Sequence, residues 1–248
     1  MIEVQELHKA FSTGTGLVRA VDGVSFTARD GCITGLLGPN GAGKTTTLRM
    51  LYTLMRPDRG RVSVDGDDVV ASADLVRRRL GVLPDARGVY KRLSARETIS
   101  YFGRLQGLDA ATISARTARL AEALGMQDFI DRRAEGYSQG QRTKTAIARA
   151  LVHEPQNVIL DEPTNGLDVM TTRGLREFLL TLKAQGRCVI LSSHIMQEVA
   201  LLCDHIVIIA SGRVAAQGSA NELRELSGEA NLEDAFVRLI GTAEGLAA

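Results

Sequence analysis

The run from Gly38 to Thr46, "GPNGAGKTT", sets glycines, a lysine and hydroxyls at the spacing G-x-x-x-x-G-K-[ST]. That spacing is built for phosphate. Gly41 and Gly43 let the backbone turn tightly, so that consecutive N–H groups point inward at phosphate oxygens, in a loop completed by Gly38, Pro39, Asn40 and Ala42. Lys44 can then reach the β- and γ-phosphates, and the Thr45 hydroxyl, with Thr46 beside it, is placed for Mg²⁺. A short apolar run, "CITGLL", precedes the loop and a helical pattern follows it, which is the context the spacing requires.

A second constellation lies in "NVILDEPTNGLD", where an apolar strand ends in Asp161 and Glu162. Paired acids at a strand end are ordinarily a solvated turn. Beside a phosphate loop they take another meaning: Asp161 supports the metal and its water shell, and Glu162 polarises an attacking water as general base. A third stretch, "EGYSQGQRTK", reads two ways. Ser138 can cap the helix that follows, or the exposed helix start can form half of an anion site.

These residues need a scaffold, and the chain is long enough to supply one. Its 248 residues are 44% hydrophobic, 24% charged and 4% aromatic, the composition of a globular domain with a sizeable core. Thirty basic against twenty-nine acidic residues leave a formal charge of +1, so no overall field points to nucleic acid or anionic lipid. Arg77, Arg78 and Arg79, and likewise Arg132 and Arg133, read as solvated helix faces. Cys32, Cys188 and Cys203 are too few and too scattered for a disulfide framework or a metal knuckle. The N-terminus carries no signal-peptide pattern, and no apolar run is long enough to span a bilayer.

Along the chain, "IEVQELHKAF" and "AVDGVSFTA" alternate as half-buried antiparallel strands, and "RVSVDG" returns as another. From about Leu93 to Val152 the period is helical, punctuated by Gly107 and Gly125. Buried runs "NVILD", "CVILSS" and "HIVIIA" then alternate with helices, which predicts a parallel sheet covered on both faces. The tail around "ANLEDAFVRLIG" predicts one amphipathic helix followed by a small-residue end that frays.

Taken in order, "GPNGAGKTT", "GVLPD", "YSQGQ", "VILDEP", "GLD" and "SSH" resemble the nucleotide-binding subunit of an ATP-binding-cassette (ABC) transporter over nearly the whole chain. The resemblance implies an α/β fold: a RecA-like P-loop ATPase core with helices on both faces of its sheet, an N-terminal antiparallel β subdomain and an inserted α-helical subdomain. It implies an ATPase domain over 1–226, with the insert at 89–154, and a helical tail over 227–248. ATP and Mg²⁺ are the implied cofactors.

The residue roles follow the same resemblance. Phe11 stands where the family stacks an aromatic ring on adenine, with a core position in the first strand as the alternative. Glu162 corresponds to the base, His194 to the switch histidine at the γ-phosphate, and Asp168 to the turn that links two ATP sites across a dimer. His8, His153 and His205 have no such context and read as surface or core residues. Ser138, Gln139, Gly140 and Gln141 would complete the ATP site of a second subunit. Two departures stand out: Tyr137 and Gln139 replace a leucine and a glycine in the signature. Asp85 replaces the usual glutamine of the coupling loop, where it brings a carboxylate to the metal side. A left-handed backbone at position 139 would make its Cβ cost roughly 1 kcal/mol.

The "YKRLSARETISYFGRLQGL" segment, the triple threonine and the tail look like the export-type, NatA-like subfamily, with sodium efflux as the implied activity. The expected partners are ATP, a separate integral membrane permease and a second copy of the chain, with no nucleic acid. The expected location is the cytoplasmic face of the membrane, reached through the permease. The competing reading is a soluble ABC ATPase acting on ribosomes or DNA, whose basic surfaces and second cassette this chain lacks.

Overall fold

The computed structural model describes residues 1–14, 16–85 and 88–243, the side chains of 242 and 243 excepted. The end expected to fray, from 244 onward, lies outside the described residues. The elements run β1 (Ile2–Thr13), β2 (Gly16–Ala28), β3 (Ile33–Leu37), α1 (Lys44–Leu51), β4 (Arg59–Val64), β5 (Asp67–Asp68), α2 (Ala73–Arg79) and β6 (Leu80–Leu83). Then come α3 (Ala95–Leu105), α4 (Ala110–Ala123), a 3₁₀ turn (Ala134–Gly136), α5 (Gln139–Leu151), β7 (Asn157–Leu160) and α6 (Val169–Ala184). The chain closes with β8 (Cys188–Ser193), α7 (Met196–Leu202), β9 (His205–Ala210), β10 (Arg213–Gly218), α8 (Ala220–Ser227) and α9 (Leu232–Ala243).

Two sheets form. The first has order β2-β1-β4-β5 and is antiparallel; the second has order β10-β9-β3-β8-β7-β6 and is parallel except for β10. Period-2 alternation divides the central strands between two cores. Val158, Leu160, Val189, Leu191, Ile206 and Ile208 face the helical insert with Ile99, Met126 and Ile147. Ile159, Ile190, Val207 and Ile209 face the first sheet with Ile2, Leu7, Val62 and Leu48. Because both faces are covered, these strands read as continuous apolar runs, as predicted for a buried parallel sheet.

The helices of the insert begin on caps. Ser94 and Ser138 each form a reciprocal capping box, with Glu97 and Gln141 respectively, and Asp109 caps α4. Gly107 and Gly125 follow the ends of α3 and α4 with positive φ, the glycine-stop geometry. Arg77, Arg78 and Arg79 close α2, as expected of a solvated helix. Arg132 and Arg133 depart from expectation. They lie in the turn leading to residues 134–136, not on a helix, and Arg132 bonds Gln141 Oε1 at 2.9 Å. Arg133 pairs antiparallel with Ser94, and the Arg132 carbonyl accepts from the Tyr137 hydroxyl, which holds the chain extended there. Among the described residues all three cysteines are free thiols, and no helix is long and apolar enough to cross a membrane.

The register decides where function gathers. Leu37 pairs with Ser193, Leu160 with Leu191 and Leu83 with Leu160, so β3, β6, β7 and β8 all end at one edge. In a parallel sheet that carboxyl edge is where ligands bind.

Candidate nucleotide site

From this edge the chain delivers the loop 38–43 after β3, Asp85 after β6, Asp161 and Glu162 after β7, and His194 after β8. They surround an open cleft of about 520 Å³ lined by Asn40–Thr46, Asp85, Glu162 and His194, together with Ala20 and Asn165. Ala20 and Asn165 were not read from the sequence.

The loop is held by its glycines. Gly43 caps α1 with φ +107°, and a Cβ there would stand 2.4 Å from the Ala20 carbonyl oxygen. A Cβ on Gly38 would stand 2.2 Å from the Ile209 carbonyl oxygen. No side chain fits either place. Gly41 has φ +80° and open space around it, so there the need is conformational alone. No side chain caps α1, so its first N–H groups face the cleft with the positive end of the helix dipole behind them.

Lys44 is 6% exposed and donates to the carbonyls of Gly38 at 2.7 Å and Pro39 at 3.1 Å. Its Nζ lies 3.7 Å from Glu162 Oε1. Burial pulls the ammonium below the ordinary lysine range, and the charges of Glu162 and Asp161 work against that. The other oxygen, Glu162 Oε2, is 2.9 Å from His194 Nδ1. Glu162 itself adopts φ +48°, a left-handed conformation that residues with a Cβ seldom take.

Asp161 is fully buried, accepting from Ser192 Oγ at 2.6 Å and from Thr45 Oγ1 at 3.2 Å. Both bonds go to Oδ1; Oδ2 is buried without a partner. Burial raises the Asp161 carboxyl above its ordinary range, opposed by those two bonds and reinforced by the charges of Asp85 and Glu162. An orphaned carboxylate oxygen beside a threonine hydroxyl is a donor set for a hard cation. Among the described residues no cluster of three His, Cys, Asp or Glu could hold a metal alone. That suits Mg²⁺, which keeps waters and leans on phosphate oxygens with one or two carboxylates.

The other predicted site residues stand apart. Phe11, 37% exposed on β1 opposite Val18, does not line the cleft, and Lys9 Nζ lies 5.9 Å from its ring. Ser138, Gln139, Gly140 and Gln141 start α5 outside the cleft. Asp168 caps α6, accepting from Thr171 N at 2.9 Å and Thr171 Oγ1 at 2.7 Å. Gln139 has no positive φ, so the strain considered for it is absent and its side chain is simply bulk at an exposed helix start. Its Cγ lies 3.6 Å from where a Cβ on Gly166 would stand. Thr171 would meet a Cβ on Gly140 at 3.1 Å. The signature start and the 166–171 segment therefore pack as one seam.

Tyr137 acquires a structural role that the sequence did not suggest. Its hydroxyl accepts from Ala95 N at 3.2 Å and lies 2.7 Å from Arg132 O and 2.9 Å from Phe129 O, tying the start of α3 to the signature. Tyr137→Phe strands the buried N–H of Ala95 and is expected to cost about 1–2 kcal/mol of stability, read as a lower midpoint in urea.

The sequence profile of the ABC transporter family matches residues 21–165. The ABC transporter ATP-binding protein NatA of Bacillus subtilis (strain 168) is 42% identical, with 96% of this chain and 97% of that one covered. The daunorubicin/doxorubicin resistance ATP-binding protein DrrA of Streptomyces peucetius is 40% identical, with 92% of this chain and 68% of that one covered. A solved ATP-binding subunit of an ABC transporter superposes with TM-score 0.87 at 29% identity, covering 96% of this chain and 99% of that one. With the phosphate loop, the paired acids and the histidine converging on one sheet edge, the chain belongs to the ABC transporter family as an ATP-binding subunit, an ATPase.

Proposed function

We propose that two copies of this chain close head to tail on two ATP molecules and drive export through a separate membrane permease. The observation that carries this reading is a division of the site. One edge gathers Lys44, Thr45, Asp161, Glu162 and His194, while the start of α5 stands exposed outside that cleft. A capped helix start with Ser138 at its tip is suited to a γ-phosphate, and a second subunit is what can bring one to it. Asp168, Val169 and Met170 are exposed nearby, the last two 83% and 74%, as an unburied contact face would be.

In this reading the loop and Lys44 bind the phosphates, and Phe11 stacks on adenine. Thr45 and Asp161, with Asp85 nearby, hold Mg²⁺, which when bound neutralises charge on the phosphates. Glu162 takes the proton of the attacking water while His194 holds the carboxylate in place. Residues 1–226 form the ATPase unit, 89–154 its helical insert and 227–248 its tail, whose helix α9 rests through Leu232, Phe236 and Leu239 on the core that faces the insert. Sodium is the cargo suggested by the export-type segments, and the permease would carry it.

Purification of the chain from its native membranes tests the assembly: an integral protein with several apolar spans is expected to come with it. Recovery with nucleic acid and no membrane protein would overturn the transporter reading.

A further inference from the structure

Ser192, the penultimate residue of β8, is fully buried and its hydroxyl is used twice. It donates to Asp161 Oδ1 at 2.6 Å and accepts from the backbone N–H of Glu162 at 2.9 Å. A hydroxyl has one proton, so donation to Asp161 fixes its rotation and leaves lone pairs for Glu162 N–H. One side chain on the neighbouring strand thus holds the carboxylate of the first acid and the backbone of the second. The β7–β8 register, Leu160 against Leu191, sets Ser192 across from the point where β7 ends.

That backbone needs a hold. At φ +48° Glu162 sits in a conformation its Cβ disfavours, and such geometry persists where surrounding contacts over-determine it. Its carboxylate is shared between Lys44 at 3.7 Å and His194 at 2.9 Å, so a small rotation at the Cα displaces both contacts. The adjacent hydroxyl does not do this work, since Ser193 Oγ accepts from Ile195 N at 3.0 Å.

We propose that Ser192 is a positioning residue for ATP hydrolysis, which sets the water-facing carboxylate of Glu162 and the metal-facing carboxylate of Asp161 in register through one hydroxyl. The proposal rests on the reading of Glu162 as base and Asp161 as metal-side acid.

The test uses the full chain and the variants Ser192→Ala, Ser192→Thr and Glu162→Gln. ATP turnover is measured against ATP and against Mg²⁺, alongside thermal midpoint and binding of a fluorescent ATP analogue without divalent metal. Ser192→Ala is expected to fold, to bind the analogue as the parent does, and to lose about ten- to a hundredfold in kcat, the scale of a small misplacement of reacting groups. Its half-saturating Mg²⁺ should rise while KM for ATP holds, and Ser192→Thr should restore most of the rate. If Ser192→Ala is insoluble, Ser192→Cys, similar in size and a weak donor, takes its place with the same expectation. Parental kcat and Mg²⁺ dependence in the variant lacking the hydroxyl would overturn the proposal whatever the midpoint does. Equal loss in the threonine variant would overturn it too, because the effect would then belong to packing. If Glu162→Gln turns over ATP normally, the reading of the base fails; if it is inactive while Ser192→Ala is unimpaired, only the role of Ser192 fails.

Discussion

Glu162→Gln is expected to cut steady-state ATP turnover by about a hundredfold or more, the range a positioned proton acceptor supplies. The substitution keeps size and shape. Glutamine can still bond His194, and Lys44 keeps its bonds to Gly38 and Pro39, so the cleft is preserved while its proton acceptor is lost. ATP binding should survive, and in the proposed two-copy arrangement the dimer should then accumulate because the γ-phosphate between the subunits would stay in place. Phosphate release and size-exclusion chromatography with ATP read the two effects separately. A persistent monomer would count against the two-copy site, and normal turnover would require another base.

Lys44→Ala should abolish measurable ATP binding. For a bound nucleotide at a hundred times its Kd the stabilisation is about 2.7 kcal/mol, so the variant should lose the rise in thermal midpoint that ATP gives the parent. Two terms oppose each other in the free protein. Removing the ammonium strands the Gly38 carbonyl, leaves the Pro39 carbonyl with its bond from Ala42 N alone, and takes a cation from beside Glu162. It also removes a charge that burial already disfavours. The first term is the larger, because a stranded buried acceptor costs about 1–3 kcal/mol, while the lysine keeps a carboxylate partner that offsets its burial. The apo variant should therefore be less stable by about 1–3 kcal/mol on the same scale, as urea unfolding would report. An unchanged ATP-induced shift would remove Lys44 from the phosphate site.

The phosphate loop and the paired acids were legible because their chemistry is written in consecutive residues, and the buried strands because both their faces are covered. What was not legible depends on partners distant in sequence. Ser192 looks like any strand-end serine until β7 is laid beside β8, and Tyr137 looks like a departure from a motif until Ala95 is found against its hydroxyl. Arg132 and Arg133 lie off any helix because Arg133 pairs with Ser94, a partner that charge pattern does not reveal. The strand β10 escaped notice since "RVAAQG" is short and only weakly alternating, and it gains its place from pairing with β9. Gln139 illustrates the opposite case: sequence raised a question about backbone strain that a helical first turn answers.

The seam between the start of α5 and the 166–171 segment has a consequence for protein engineering. Because Thr171 stands 3.1 Å from where a Cβ on residue 140 would be, any side chain introduced there presses on a residue of α6. Gly140 can therefore be varied only together with the 166–171 segment. A side chain at 140 in the present background would meet Thr171 and disturb its two bonds to Asp168.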